Sequence, residues 1–319
     1  MLVLKELMSV QSVKSLCRMS RRIIDISEEP VALSLQGELL CLGLPDGRES
    51  TVPLREVQAL LVAHPRVSMS ASILAALSSH GVATVLCDGS RRPAGIMLPL
   101  GEHGRIATRF ASQARLSLPT RKTLWRQVVR AKIRNQGALL SAVRGADAGL
   151  VAMAKEVLSG DRTNVEAQAA VRYWRRIFAD ESFRRDPESS GRNSLLNYGY
   201  AIIRSSIARA ICGAGLHPAL GLHHHSRGNP LCLADDLMEP FRPVVDRAVV
   251  SISESSGDGV MLDRSSKRQL VEAVSGRLNV KGESRTCFDW QEKFVKGLAR
   301  VIDGDAERLW VPVFNFDSR

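Results

Sequence analysis

Residues 119–143, PTRKTLWRQVVRAKIRNQGALLSAV, repeat apolar side chains at helical spacing in a chain of 319 residues. Leu124, Val128 and Ala131 mark the apolar side of this repeat. The Pro-Thr pair at 119–120 is typical of a helix start. The stretch therefore predicts a long basic helix over Arg121–Val143, and the chain differs in character on its two sides.

On the N-terminal side, short apolar runs alternate with turn residues such as Gln36-Gly37 and Pro45-Asp46-Gly47. The runs predict strands at Ile23–Ile26, Val31–Leu35, Leu39–Leu42, Thr51–Leu54, Val57–Val62, Val82–Cys87 and Ala94–Leu98. A short helix is predicted from a cap at Ser70 to Ser79. We therefore expect residues 21–100 to form a small, mostly β domain, residues 101–119 to be a linker, and residues 1–20 to be an unstructured or weakly helical arm.

On the C-terminal side the helical spacing returns, for example at Val165, Ala169 and Tyr173. We expect residues 120–319 to form a larger, all-α domain, so that the fold class is α+β. No run approaches eighteen apolar residues, which argues against a membrane span. The six cysteines form no CxxC pair, which favours a reduced, cytoplasmic protein.

The positive charge of the chain is concentrated around the predicted basic helix. The net charge is +11, and residues 101–160 hold eleven bases against three acids, so eight of the eleven excess charges lie there. Such a concentration favours a polyanionic partner such as nucleic acid, although a solvated helix face would also explain it. The cations singled out on this basis are Lys122, Arg126, Arg130, Arg134, Arg172, Arg175 and Arg176.

Residues 215–243, GLHPALGLHHHSRGNPLCLADDLMEPFRP, combine histidines with acids. Four of the seven histidines lie within nine residues, and three acids follow a short loop later. Imidazole and carboxylate together suit Mn²⁺, Mg²⁺ or Zn²⁺. Asp236 and Glu239 are three apart, which stacks both carboxylates on one face of a helix, so that they point together before Pro243 stops the helix. Two acids near a helix start can also simply favour its dipole.

A third metal ligand has to come from another part of the chain, because adjacent histidines cannot all face one ion. Glu166 is a candidate, since it lies in the first turns of an otherwise apolar and basic helix. The alternative is a helix capping box formed with Thr163. Taken singly, each histidine is more often a surface or capping residue than a ligand.

Three motifs together resemble the spacer integrases of CRISPR adaptation. They are NVEAQAAVRYWRRIF (164–178), NSLLNYGYAIIRSSIARAI (193–211) and GLHPALGLHHHSRGNPLCLADDLMEPFRPVVD (215–246). The resemblance covers nearly the whole chain from Arg22, because that family also has a small β domain followed by a helical one. The segments LWRQVVRAKIRNQ and ADDLME are most similar to members from type II systems.

The resemblance implies a metal site and an activity. Carried onto this chain, the catalytic residues and ligands of Mg²⁺ or Mn²⁺ are Glu166, His224 and Glu239. Asp236 would be auxiliary, and His223 is a second auxiliary residue and, with His225, a rival ligand. The implied activity is that of a metal-dependent DNA endonuclease or integrase, which inserts spacer DNA by 3′-hydroxyl attack on phosphodiesters at the repeat borders.

The resemblance also implies partners. They are double-stranded DNA, a second copy of the chain in a homodimer, and a small ferredoxin-like adaptation protein. The β domain of residues 21–100 would supply the contacts of the homodimer and of the adaptation protein, and the helical domain of residues 120–319 would be catalytic. The cations named above would bind DNA through its backbone. Two alternatives stay open at this point: a metal-dependent nuclease that only cleaves, and a catalytically silent DNA-binding scaffold.

Overall fold

The computed structural model describes residues 22–26, 29–87, 93–97, 99, 106–180, 182–256 and 260–316. The predicted arm, residues 1–20, lies outside the described residues. The chain divides into two compact units, with the boundary between Pro99 and Leu100. Each unit is therefore described by itself.

The first unit consists mainly of short strands. They are β1 (Arg22–Ile26), β2 (Ala32–Gln36), β3 (Leu39–Gly43), β4 (Glu49–Pro53), β5 (Val57–Val62), β6 (Ala83–Cys87) and β7 (Pro93–Met97), with helix α1 (Ala71–Ser79) between β5 and β6. Each predicted strand is present, with ends displaced by at most two residues. Ser70 is the N-cap residue of α1, as predicted, but its side chain makes no capping hydrogen bond.

Two sheets organise this unit. One sheet has the order β1-β5-β6-β7. In it, β5 is parallel to both of its neighbours, β1 and β6, whereas β7 is antiparallel to β6. The other sheet is the antiparallel meander β2-β3-β4. A turn at Gly37, which has a φ of 61°, joins β2 to β3. Alternate strand residues such as Leu33, Leu40 and Leu60 fill a shared core with Leu77 of α1.

The second unit is mainly helical, as predicted. Its helices are α2 (Ile106–Ala114), α3 (Leu118–Arg144), α4 (Leu150–Glu156), α5 (Val165–Ile177), α6 (Arg192–Gly213), α7 (Cys232–Met238), α8 (Arg242–Ser256), α9 (Arg264–Ser275) and α10 (Cys287–Ile302). One antiparallel hairpin, β8 (Arg277–Val280) with β9 (Glu283–Thr286), departs from the all-α expectation. No helix in the described part of the chain is long and apolar enough to cross a membrane.

Helix α3 is the predicted basic helix, and it is longer than its apolar repeat indicates. It begins three residues earlier because the Ser117 hydroxyl accepts a hydrogen bond from the amide of Thr120, which caps the helix, and Pro119 fits the first turn. It ends at Gly145, whose φ of 79° allows the left-handed turn. Leu124, Val128 and other apolar side chains of the repeat are buried.

The predicted linker is wrong for residues 106–114, which form α2. Gln113 explains why this short helix is ordered, because its side chain is buried and makes three hydrogen bonds. Its amide nitrogen donates to the carbonyls of His217 and Leu220, and its amide oxygen accepts from the amide of His217. A satisfied buried amide of this kind fixes α2 to the histidine-rich segment.

Pro243 has a different role from the predicted one. We expected it to stop the helix that carries Asp236 and Glu239, but a short 3₁₀ turn (Glu239–Phe241) separates α7 from α8, and Pro243 lies in the first turn of α8. Proline is tolerated there because the first-turn amides of a helix have no partner within it.

Candidate active site

Glu166 and Glu239 meet at a single cation, Lys132 of α3. The Nζ of Lys132 lies 2.6 Å from Oε1 of Glu166 and 2.6 Å from Oε2 of Glu239. The two carboxylate oxygens are therefore no more than twice that distance apart. Residues that are far apart in the sequence are brought together here.

Glu239 is the more buried of the two carboxylates, with a side chain that is 6% exposed. Its Oε1 accepts a hydrogen bond from Nε of Arg242 at 2.8 Å. Its Oε2 is buried and receives no aligned hydrogen bond from any described residue, so that charge holds the contact with Lys132. Burial alone would raise the pKa of this carboxyl, but Arg242 and Lys132 outweigh it and lower the pKa to about 2.

Lys132 is charged in this environment. Burial would lower the pKa of its ammonium, but the carboxylates of Glu239 and Glu166 outweigh that effect and raise the pKa above the ordinary value. The site therefore contains two carboxylates and two cations, Lys132 and Arg242, before any ion binds.

Glu166 is positioned by the start of α5, but not through the capping box considered above. The carboxylate of Asp161 accepts hydrogen bonds from the amides of Val165 and Glu166, each at 3.0 Å. The N-cap residue is Asn164, in the left-handed region at a φ of 54°, and its side chain does not cap the helix. Because Asp161 satisfies these amides, the Glu166 side chain is available to the site.

His224 is held by Asp236, which is fully buried in helix α7. Nδ1 of His224 lies 2.6 Å from Oδ1 of Asp236. The same carboxylate accepts the backbone amides of Leu222, His223 and His224 at 2.6, 3.0 and 3.2 Å. The hydrogen bond to Asp236 raises the pKa of His224. With Nδ1 engaged, Nε2 is the ring nitrogen that remains for a ligand.

The close approach between this turn and α7 requires glycine at position 221. A Cβ atom there would lie 2.4 Å from the carbonyl oxygen of His224 and 2.9 Å from Oδ2 of Asp236. Asp236 therefore orients the turn of residues 222–224, which makes all four of the hydrogen bonds described above. The expectation that the Asp236 and Glu239 carboxylates point together is wrong, because Asp236 faces the turn and Glu239 faces Lys132.

The other histidines have different surroundings. The ring of His223 stacks on the buried indole of Trp125, with centroids 4.4 Å apart and planes 2° from parallel. His217 packs its ring edge against Phe110 at 5.2 Å, and His225 is exposed. His224 is the histidine that a carboxylate orients among the three rivals.

The donor set fits a hard divalent cation. A buried carboxylate oxygen without an aligned donor, a second carboxylate beside it and an imidazole oriented through its other nitrogen are suitable ligands for Mg²⁺ or Mn²⁺. Among the described residues, however, no three His, Cys, Asp or Glu side chains are already close enough to share an ion. Lys132 lies between the two glutamates in the arrangement observed.

A buried network behind Glu239 was not predicted. Asp246 accepts hydrogen bonds from the hydroxyls of Tyr173, at 2.7 Å, and Tyr200. The guanidinium of Arg242 lies over the Tyr200 ring, 4.5 Å from its centroid. Burial raises the pKa of Asp246 to about 6 despite both hydroxyls. Tyr200 therefore also supports the arginine that binds Glu239.

Asn135 was also missed, and it fixes the turn that carries Glu239. Its amide nitrogen donates to the carbonyls of Pro240 and Pro312 at 2.8 and 3.1 Å, and its oxygen accepts the amide of Phe314. The side chain is fully buried. An asparagine on the apolar face of the repeat at 119–143 was the available signal, because a buried amide has to be satisfied by specific partners.

The predicted DNA-binding cations divide into two groups. Arg130 donates to the carbonyls of Lys155 and Val157, both at 3.0 Å, and so caps the end of α4. Arg172 donates to the carbonyl of Ala148 and Arg176 to that of Arg172, although both side chains are exposed. Lys122, Arg134 and Arg175 are exposed, and Arg126 is half-buried.

Comparison with known proteins identifies relatives over most of the chain. A family model described as CRISPR associated protein Cas1 matches residues 24–275. A CRISPR-associated endonuclease Cas1 from Neisseria meningitidis serogroup C (strain 8013) is 34% identical over 284 residues, which cover 88% of this chain and 92% of the relative.

Solved structures share the fold. A casposase bound to integration product superposes with a TM-score of 0.76 at 19% identity, covering 90% of this chain and 92% of its own. A chain of a Cas6-RT-Cas1–Cas2 complex gives a TM-score of 0.71 at 15% identity, covering 94% of this chain and 37% of its own. At these identities the structures support the fold, which is the predicted α+β arrangement. The family model and the Neisseria relative go further, and together they show that this chain belongs to the CRISPR-associated Cas1 family.

Proposed function

We propose that this protein is a metal-dependent DNA integrase of CRISPR adaptation. It would join the 3′-hydroxyl end of a spacer DNA to a phosphodiester at the border of a CRISPR repeat. One observation carries the proposal: Glu166 and Glu239, seventy-three positions apart, share one buried cation position, and α7, which precedes Glu239, also supplies the carboxylate that orients His224.

Glu166, Glu239 and Nε2 of His224 would hold Mg²⁺ or Mn²⁺. When bound, such an ion supplies charge stabilisation at the scissile phosphate and lowers the pKa of the attacking hydroxyl. The choice between the two metals stays a prediction.

The chain's own residues prepare the site for that chemistry. The carboxylate of Asp236 fixes the ring of His224 by accepting a hydrogen bond from Nδ1, so that Nε2 is held in one orientation. Arg242 binds Oε1 of Glu239 and keeps that carboxylate ionised, and the ring of Tyr200 supports the arginine. The orientation of His224 and the ionised state of Glu239 are therefore set before substrate arrives, as efficient catalysis requires.

The comparisons support DNA joining over cleavage alone. The structure with a TM-score of 0.76 is a casposase bound to integration product. The relative from Neisseria is named as an endonuclease, so cleavage is the second candidate for the same site. A silent scaffold is less favoured, because the three proposed ligand positions hold glutamate, histidine and glutamate.

The partners are proposed on the same basis. A chain similar to this one occurs in a complex with Cas2, which supports the small ferredoxin-like adaptation partner. The homodimer, double-stranded DNA as the ligand of the exposed cations, cytoplasmic location and membership of a type II system stay predictions.

A strand-transfer assay tests the function. The full chain, with its small adaptation partner, is incubated with Mn²⁺, a supercoiled plasmid carrying a CRISPR repeat, and a labelled duplex ending in 3′-hydroxyls. We expect labelled plasmid from the wild type and a loss of at least about a hundredfold in Glu239→Gln, because removing a metal ligand affects the reacting ion directly. Glutamine keeps the volume of glutamate, so that folding is affected less than by alanine.

Asp235→Asn is the matched control for this assay. Asp235 pairs with Arg204 and Asn229, and it does not contact Glu239 or Lys132 among the interactions described here. It should retain strand transfer. Nicked plasmid without labelled product would favour the nuclease, and equal joining by the wild type and Glu239→Gln would refute the assigned site.

A further inference from the structure

Lys132 occupies the position between Glu166 and Glu239, and its placement is fixed by the helix that carries it. Asn135 follows it by three residues, which places both on one face of α3. Asn135 donates to the carbonyl of Pro240, the residue after Glu239. The helix is thus anchored to the glutamate turn beside Lys132. The side chain of Lys132 is 12% exposed.

The charges around Lys132 show what the ammonium does in the observed arrangement. Arg242 binds only Oε1 of Glu239, so Oε2 depends on Lys132 for a positive charge. Glu166 has its Oε1 on the same ammonium at 2.6 Å. Without Lys132, two carboxylates would face each other with one oxygen of Glu239 buried and unaligned with any donor.

We propose that Lys132 is a built-in counter-ion, which holds Glu166 and Glu239 together in the metal-free protein and gives up its place when a divalent ion binds. The inference rests on the proposed function, because it assigns the same two carboxylates to the ion. A lysine suits exchange, since its ammonium is a point charge on a flexible four-carbon stem and can turn toward solvent. Lys132 is thus a positioning residue that sets how readily the site is loaded.

A fixed structural salt bridge makes the opposite prediction. If Lys132 only held the glutamates in place, its removal would leave metal affinity unchanged or weaken it, because the ligands would lose their order. If Lys132 competes with the ion, its removal strengthens metal binding. The two roles therefore differ in the sign of one measurement.

The first test compares the full-length wild type with Lys132→Met, which keeps the length of the side chain and removes its charge. In chelator we expect the variant to unfold at a lower temperature, because the facing carboxylates lose their counter-ion. In a calorimetric titration with Mn²⁺ alone we expect the variant to bind the ion at least about tenfold more tightly, because a unit charge that competes at this distance changes the dissociation constant by more than about tenfold.

Two variants control this test. Lys132→Arg keeps the positive charge, and it should not bind Mn²⁺ more tightly than the wild type. Lys155→Met removes an exposed lysine from α4 and should leave both the metal-free unfolding temperature and the Mn²⁺ affinity unchanged. Unchanged or weaker Mn²⁺ binding by Lys132→Met would overturn the inference.

A measurement on the wild type keeps the inference testable if Lys132→Met does not fold. Amine-reactive labelling, read by mass spectrometry, should modify Lys132 several-fold faster in Mn²⁺ than in chelator, with Lys155 unchanged. Equal protection of Lys132 under both conditions would overturn the inference. A wild type that binds no Mn²⁺ would overturn both this inference and the proposed function, whereas a strand-transferring, Mn²⁺-binding wild type with a failed Lys132 test would overturn only the inference.

Discussion

At the scale of single residues, the site depends on two buried aspartates that do not meet a substrate. Asp236 accepts four hydrogen bonds from the turn of residues 222–224, and Asp246 accepts two from tyrosine hydroxyls. The first orients a histidine and the second orients an arginine through Tyr200. Both are buried carboxylates whose cost of burial is offset by these hydrogen bonds and, for Asp246, also by the charges of Arg242 and Arg185.

Asp236→Asn should disorder the histidine turn. Asparagine offers one acceptor oxygen where the carboxylate offers two, so at least one of the amides of residues 222–224, or Nδ1 of His224, loses its partner. We expect a loss of about 3 kcal/mol in the free energy of unfolding. Urea unfolding in chelator measures the loss, with Asp235→Asn as the neighbouring control. A variant as stable as that control would show that the turn does not depend on Asp236.

Asp246 should make stability depend on pH. Burial raises its pKa from 3.8 to about 6, so the folded state binds more protons than the unfolded state between these values. Its contribution to stability therefore falls as pH rises from about 4 to about 6 and is constant above that. We expect the stability difference between the wild type and Asp246→Asn to change by about 3 kcal/mol across this window. Urea unfolding of both proteins from pH 4 to 7 measures this change. A stability difference that stays constant over this range would contradict the raised pKa of Asp246.

At the scale of elements, helix α3 links several parts of the site. One face carries Lys132 to the two glutamates and Asn135 to Pro240 and the C-terminal segment. Trp125, in the second turn, supports the ring of His223. Arg130 caps α4 through two carbonyls. The helix is therefore a structural support of the site as well as a source of positive charge.

The arginines of α3 should separate in their effects. Arg134 is exposed, so Arg134→Gln should weaken duplex DNA binding and reduce the slope of log affinity against log salt by about one. Arg130→Gln should instead lower the free energy of unfolding, by about 1 to 2 kcal/mol, because two carbonyls at the end of α4 lose a charged donor. Salt-dependent binding and urea unfolding of both variants check this. An Arg130 variant that lost DNA affinity at unchanged stability would reverse the assignment.

The sequence predicts those helices and strands that are determined by neighbouring residues, and it misses those that depend on contacts with distant segments. The strands of the first unit follow from short apolar runs and turn residues, and all of them are present in the structure. Helix α2 was missed because its order comes from Gln113 bonding to the carbonyls of His217 and Leu220, a contact between distant segments. The capping box formed with Thr163 was wrong, because the carboxylate of Asp161 accepts the hydrogen bonds of the amides of Val165 and Glu166.

The candidate site was predicted in part. The motifs indicated Glu166, His224 and Glu239, and the structure brings the two glutamates to one cation. The sequence did not indicate Lys132, because a lysine in a basic helix has no pattern of its own. It also did not show that Asp236 and Glu239 contact different partners, because helical spacing at 236 and 239 does not reveal that α7 ends at Met238 and that a 3₁₀ turn begins at Glu239.

At the scale of the whole molecule, the proposed chemistry lies within the second unit. Glu166 comes from α5, Glu239 from the turn after α7, and His224 from the loop before α7. The first unit has its own core of strand residues and Leu77. That the β domain serves assembly while the helical domain carries the reaction stays a prediction.

The position of a bound metal ion is the decisive observation for the proposed site. Crystals of the full chain grown with Mn²⁺ should give an anomalous scattering peak whose neighbours include carboxylate oxygens of Glu166 and Glu239 and Nε2 of His224. First-shell distances of about 2 Å are expected. A peak held by other residues, or Lys132 still between the two glutamates in a saturated crystal, would contradict the account.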